Sequence, residues 1–279
     1  MISYKKVKEK CIKDRFFPYD DWRDKIFVPP AIFLTWFFVN TGVSANTISI
    51  ISGLFAVLGG IMLTSGNNYI LLIGSFGYML FYLLDYVDGS VARFNGNIGV
   101  GGQYIDWIMH VVSSISIFTG IFFAAYDLEG SWIIPFGILT LVSVSLNLDK
   151  YSFAWFSITM YFQQQQHKNY PNKPQPIVIK NIEIPKSKTL NIFRKISTLF
   201  FHENYVIFYL PILTFCNFFI PLDLIDFRVV IILCGAIINF PVVLIDIFRI
   251  SKSSRIDKSY NKLFFGNRKP KLPFDHFIE

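Results

Sequence analysis

The chain has 279 residues, 53% of them hydrophobic and 18% aromatic with only 16% charged, which excludes an ordinary soluble domain and points to a membrane protein. Its net charge of +7 would suit nucleic acid on a soluble face. Here the lysines and arginines fringe apolar blocks instead, so anionic membrane lipids are the expected partners and nucleic acid is not.

Residues 1–44 begin with a polar, strongly basic stretch and continue into an apolar block at 26–39. That block is too short to span a bilayer. Its two prolines, its Trp36 and the basic residues upstream predict a helix lying in the membrane interface. A signal-peptide core is disfavoured, because a long polar stretch precedes the block and no small-residue cleavage site follows it.

Six apolar blocks follow, at 47–64, 69–84, 104–126, 132–148, 205–219 and 229–248, each close to the ~20 residues a helix needs to cross ~30 Å of hydrocarbon. The predicted fold class is therefore an all-α membrane protein with six transmembrane helices behind an N-terminal interfacial amphipathic helix. Residues 45–250 form its membrane domain and 251–279 a basic tail. Cys216 and Cys234 lie inside apolar blocks, and no C-x-x-C pair involves them or Cys11, so all three are read as packing residues.

Orientation follows from the basic residues. The connections at 65–68, 127–131 and 220–227 carry no lysine or arginine, and with the N-terminus inside every basic residue except Arg228 falls on the side of both termini. Short cytoplasmic loops retain positive charge, so both termini and the turn between the second and third spans are placed in the cytoplasm.

Charge beside a spanning segment is expensive and marks a functional hypothesis. The densest group runs from Asp85 to His110. Asp85, Asp88, Gly89 and Ala92 are spaced by three, four and seven residues and share one helix face, with Arg93 next in the chain. After an eight-residue connection come Gly102 and then Asp106 and His110, which share a face of the next helix. The turn folds these faces together, and three converging carboxylates in a poorly solvated place need a cation. Oxygen ligands favour magnesium, manganese or calcium over zinc. Gly89, Ala92 and Gly102 remove bulk around the cluster, which leaves room for substrate or for close helix packing.

This segment resembles the signature of the CDP-alcohol phosphatidyltransferase family, D-x2-D-G-x2-A-R-x8-G-x3-D-x3-D. It matches at seven of eight positions, namely Asp85, Asp88, Gly89, Ala92, Arg93, Gly102 and Asp106, with His110 where the family has a fourth aspartate. The stretch Ala45-Asn46-Thr47-Ile48-Ser49 is also similar to the family's P-N-x-[IL]-T sequence at the start of the first span. Asn46 and Ser49 are thereby candidates for the nucleotide site, and an Asn or Ser there equally suits a helix N-cap.

The resemblance implies transfer of a substituted phosphate group from a CDP-alcohol donor to the hydroxyl of a lipid or small-alcohol acceptor, with release of CMP. It also implies Mg2+, with Mn2+ as the alternative, held by Asp85, Asp88 and Asp106, and a homodimer. Arg93 would neutralise the pyrophosphate, while Gly89, Ala92 and Gly102 would let the nucleotide approach. In the family the last aspartate is the general base and helps hold a second metal. Here His110 is the candidate catalytic base, suited to the work by the ordinary imidazole pKa of ~6.5, and it is a poorer magnesium ligand; a structural histidine beside another base and the mark of a non-catalytic homologue are the alternatives. Lys150, Arg194, Lys195, His202 and Arg249 lie near cytoplasmic span ends, as acceptor contacts or as positive-inside anchors. Asp246, one turn before Arg249, is expected to pair with it. Two other classes stand beside the enzyme: a catalytically silent membrane scaffold, and a transporter, which would instead show interrupted helices near the midplane.

Overall fold

A backbone in hydrocarbon has no water to pair with, so each N–H and C=O must be satisfied within its own helix. The computed structural model describes residues 1–13, 22–97, 100–146, 188–219 and 226–252, and within them the chain is mostly helical, with no strand. In chain order the helices are α1 (Tyr4–Lys13), α2 (Trp22–Thr41), α3 (Ala45–Met62), α4 (Asn68–Asn95) and α5 (Val100–Glu129). There follow α6 (Ser131–Leu146), α7 (Lys188–Phe201) and α8 (Glu203–Cys216), then α9 (Phe227–Cys234) and α10 (Phe240–Lys252) joined by a π-helical turn at Gly235–Asn239.

Four helices are long and apolar enough to cross a membrane: α3, α4, Gly101–Glu129 of α5, and the run Phe227–Phe248. The pair Thr189–Phe201 and Tyr205–Cys216 meets the same test only together and is bent by 66°, so the described residues hold four spans, or five if that pair is one. Of the six expected blocks, the described residues thus show four as helices of full crossing length. Helix α6 is described as far as Leu146, and the last two residues of its expected block lie outside the described residues. Helix α8 is 14 residues long and reaches span length only across the bend.

Helix α4 is longer than its apolar block, and this positions the acidic segment. Asn67 caps its start, accepting from Tyr69 N at 2.9 Å and from Ile70 N. Its end is set by Gly96, which adopts a left-handed φ of 71° while Asn97 N donates to Ala92 O at 3.0 Å. The helix thus runs unbroken through Arg93 before it turns toward α5. Lys10 of α1 donates to Phe94 O at 3.0 Å and lies over the Phe94 ring, so a cation sits on the carbonyl end of α4.

Glycines place α3 between α4 and α5. A Cβ at Gly59 would stand 2.7 Å from Gly74 O of α4, and one at Gly77 would stand 3.1 Å from Phe55 O of α3. On its other side Gly60 meets the backbone of Ser116 and of Gly120 on α5. Without these side chains the backbones approach closely, the packing that holds helices together where lipid removes the hydrophobic drive. Helix α3 accordingly packs on both neighbours far more than they pack on each other.

Arg228, the one basic residue assigned outside, is buried at 2% exposure. It forms a bidentate pair with Asp226 and donates to Leu63 O at 3.1 Å and Ser65 O at 2.8 Å. It ties the end of α3 to the start of α9, and its charge is matched in place. The N-terminus is tied down too: Ile2 N donates to Asn40 Oδ1 at 2.6 Å and Trp36 Nε1 donates to Ile2 O at 2.9 Å.

Candidate functional site

Three helices contribute. Helix α4 carries Asp85, Asp88, Gly89, Ala92 and Arg93, α5 carries Gly102, Asp106 and His110, and α3 brings Asn46 and Ser49 to the same end of the bundle. One potential ligand atom from each of Asp85, Asp106 and His110 lies within 4.8 Å of the others. His110 Nε2 is 2.9 Å from Asp85 Oδ1 and 3.5 Å from Asp106 Oδ1, and its ring meets Phe81 edge-on at 5.5 Å. The two faces predicted to converge across the eight-residue connection do so.

Asp88 is not in that group of three. It is buried at 6% exposure, and its Oδ2 accepts from Ser49 Oγ at 2.5 Å. Ser49 in turn lies 3.2 Å from Ala45 O, so its hydroxyl is held by the first turn of α3. The N-cap of α3 is Ser44, which accepts from Thr47 N at 3.1 Å. Asn46 and Ser49 are therefore not caps. Asn46 Oδ1 is 3.5 Å from where a Cβ on Gly102 would stand, and a Cβ on Gly89 would stand 3.0 Å from the guanidinium of Arg93. Space left by Gly89 is thus used by Arg93 of the same helix, and space left by Gly102 faces Asn46. Ala92 contributes its carbonyl to the end of α4.

A hard divalent cation fits this donor set. Asp85 and Asp106 offer carboxylate oxygens close together, Asp88 keeps an oxygen not taken by Ser49, and magnesium is commonly held by one or two carboxylates with water and substrate phosphate. His110 enters differently from expectation, sharing the compact group with two aspartates. With Asp85 ionised, the bond between them puts a proton on His110 Nε2.

Other polar residues here were not singled out from the sequence. Asp24 on α2 is buried at 2% exposure and accepts from Tyr86 Oη at 2.8 Å. Tyr86 follows Asp85 in the chain, and Tyr82 Oη lies 3.4 Å from Tyr86 Oη. An acid two residues ahead of an apolar block was the available signal. The basic candidates disperse. Arg194 of α7 pairs with Asp246 of α10, so Asp246 is engaged across helices rather than only by the expected Arg249. Lys195 is exposed, and His202 lies beside Tyr205 with rings 6.4 Å apart. Lys150 and the side chain of Arg249 lie outside the described residues. In comparisons with known proteins, no family model matches the chain and no curated protein matches it.

Proposed function

We propose that this protein is a membrane-embedded phosphotransferase that moves a substituted phosphate group from a CDP-alcohol to an acceptor hydroxyl and releases CMP. The observation that carries this reading is the convergence of Asp85, Asp106 and His110 within 4.8 Å, in a segment that resembles the CDP-alcohol phosphatidyltransferase signature at seven of eight positions. Ser49 on Asp88 and Asn46 beside Gly102 add support from the second similar stretch. Six crossings, both termini in the cytoplasm, an active site on the cytoplasmic face and assembly as a homodimer belong to the same reading. The cytoplasmic face is where a CDP conjugate is met.

Asp85, Asp88 and Asp106 would hold magnesium, with manganese able to replace it. Bound there, the metal would supply charge screening for the pyrophosphate and stabilise the CMP leaving group. Arg93, folded over Gly89, places a second positive charge at the end of α4 for the same phosphates. The acceptor oxygen forms a bond to the outer phosphorus as the bond from that phosphorus to CMP breaks. The hydroxyl proton passes to the imidazole of His110, and Asp85 steadies the imidazolium that results.

The test is CMP release by the purified protein in detergent, with a panel of CDP-alcohols and acceptors. We expect release that requires magnesium or manganese, stops in excess EDTA, and is lost in Asp85→Asn, Asp88→Asn and Asp106→Asn while each variant stays folded. Full activity in EDTA, or in any of the three variants, would overturn the metal site. Absence of release with every donor would favour a silent scaffold.

A further inference from the structure

Positions 103, 106, 107 and 110 are spaced by three, four and seven residues, so Gln103 and Trp107 share the flank of α5 that carries Asp106 and His110. The mechanism above uses neither. Gln103 Oε1 and Trp107 Nε1 are both buried, and among the described residues neither has a hydrogen-bond partner. Native structures leave few such atoms, because an unpaired buried donor or acceptor keeps its full desolvation penalty. Elsewhere Asn68 Oδ1 and Asn217 Nδ2 are in the same state, but those two residues are already joined by Asn68 Nδ2 donating to Asn217 O at 3.2 Å. The Gln103 and Trp107 atoms instead lie within one or two turns of the group that takes the proton.

Their chemistry is complementary. An indole N–H only donates and an amide oxygen only accepts. A hydroxyl offers both roles, accepting from an indole N–H and donating to an amide oxygen. A methyl-capped or acylated oxygen has no hydrogen for Gln103. We propose that Gln103 and Trp107 form the subsite that recognises a hydroxyl of the acceptor, which makes them specificity-determining residues. The inference rests on the transferase reading, and it names the alcohol side of that reaction. A site built to bond a hydroxyl rejects the analogue lacking it, because its own buried groups are then left unpaired.

The experiment uses the full chain in phospholipid nanodiscs and reads the indole 15N–1H signal of Trp107, identified among the five tryptophans by its loss in Trp107→Phe. Glycerol and myo-inositol are the soluble probes and 1-octanoylglycerol the lipid probe, each carrying a hydroxyl besides the one that reacts. Trimethoxypropane and trioctanoylglycerol are their hydroxyl-free counterparts. We expect at least one hydroxyl probe to shift the Trp107 signal saturably, its counterpart to leave it in place, and Gln103→Met to abolish the shift. Which probe acts separates a soluble from a lipid acceptor. In turnover, Gln103→Met and Trp107→Phe should raise the acceptor KM about tenfold or more, with the donor KM changed less than about twofold. If no probe moves the signal, or the capped probes move it equally, the subsite is refuted, even where wild type releases CMP. If the shift saturates while wild type releases no CMP with any donor, the hydroxyl subsite stands and the transferase reading falls.

Discussion

His110 stands where the resembled signature has aspartate, and its surroundings say how a histidine can work there. A 2.9 Å contact with Asp85 orients the ring and supports a positive imidazole, and the T-shaped contact with Phe81 fixes its other side. A base must be unprotonated to act, so the rate should fall as pH drops through the ionisation of that base. His110→Ala should lose about 10²- to 10⁴-fold in rate with little change in donor binding. His110→Asp should keep part of the activity and carry the profile to lower pH, since a carboxyl ordinarily titrates near ~3.9. Rate against pH for the three proteins decides it. An alanine variant as fast as wild type would move the base to another group.

Among the elements, α3 is the one on which the site's geometry depends. It carries Ser49 to Asp88 and Asn46 to Gly102, and it can do so because glycine faces let it sit between α4 and α5. Gly60→Leu would drive a branched side chain into the backbone of Ser116 on α5. We expect a loss of about 1–3 kcal/mol or more in stability, with activity falling alongside as Ser49 is displaced. Gly66→Ala is the control, because a Cβ there meets nothing within 4 Å. Thermal unfolding of both variants in detergent checks this. Equal midpoints for Gly60→Leu and wild type would show that close backbone approach does not govern the placement of α3.

For the whole molecule the open arrangement is which end of the bundle faces the cytoplasm. Lys6 on α1 is exposed at the site's end, and Gly66 is exposed in the connection from α3 to α4 at the opposite end. In a background without the native cysteines, Lys6→Cys should react only with reagents that enter the cytoplasm, and Gly66→Cys with impermeant reagents outside intact cells. The reverse pattern would invert the protein and put the site on the wrong face for a CDP conjugate. The charge bias behind this expectation needs one amendment. Arg228 is clamped by Asp226 and by the carbonyls of Leu63 and Ser65, so its position reflects a buried tie between helices and carries little topological weight.

What the sequence determined by itself is local or additive. Hydropathy summed over a helix length marked the apolar helices, and the spacing of three and four residues put Asp85 with Asp88 and Asp106 with His110, because a helix repeats every 3.6 residues whatever surrounds it. Only the tertiary structure decided which of those carboxylates meet. Asp88 takes Ser49, thirty-nine residues away in the chain, and His110 comes between Asp85 and Asp106, since both outcomes depend on where α3 and α5 come to rest beside α4. Span length behaved in the same way. Composition marks α8 as apolar, but where a helix bends is set by its neighbours, as at the 66° corner between α7 and α8. Asp24 against Tyr86, and the buried atoms of Gln103 and Trp107, likewise have no counterpart in a linear pattern, because burial is a property of the packed bundle.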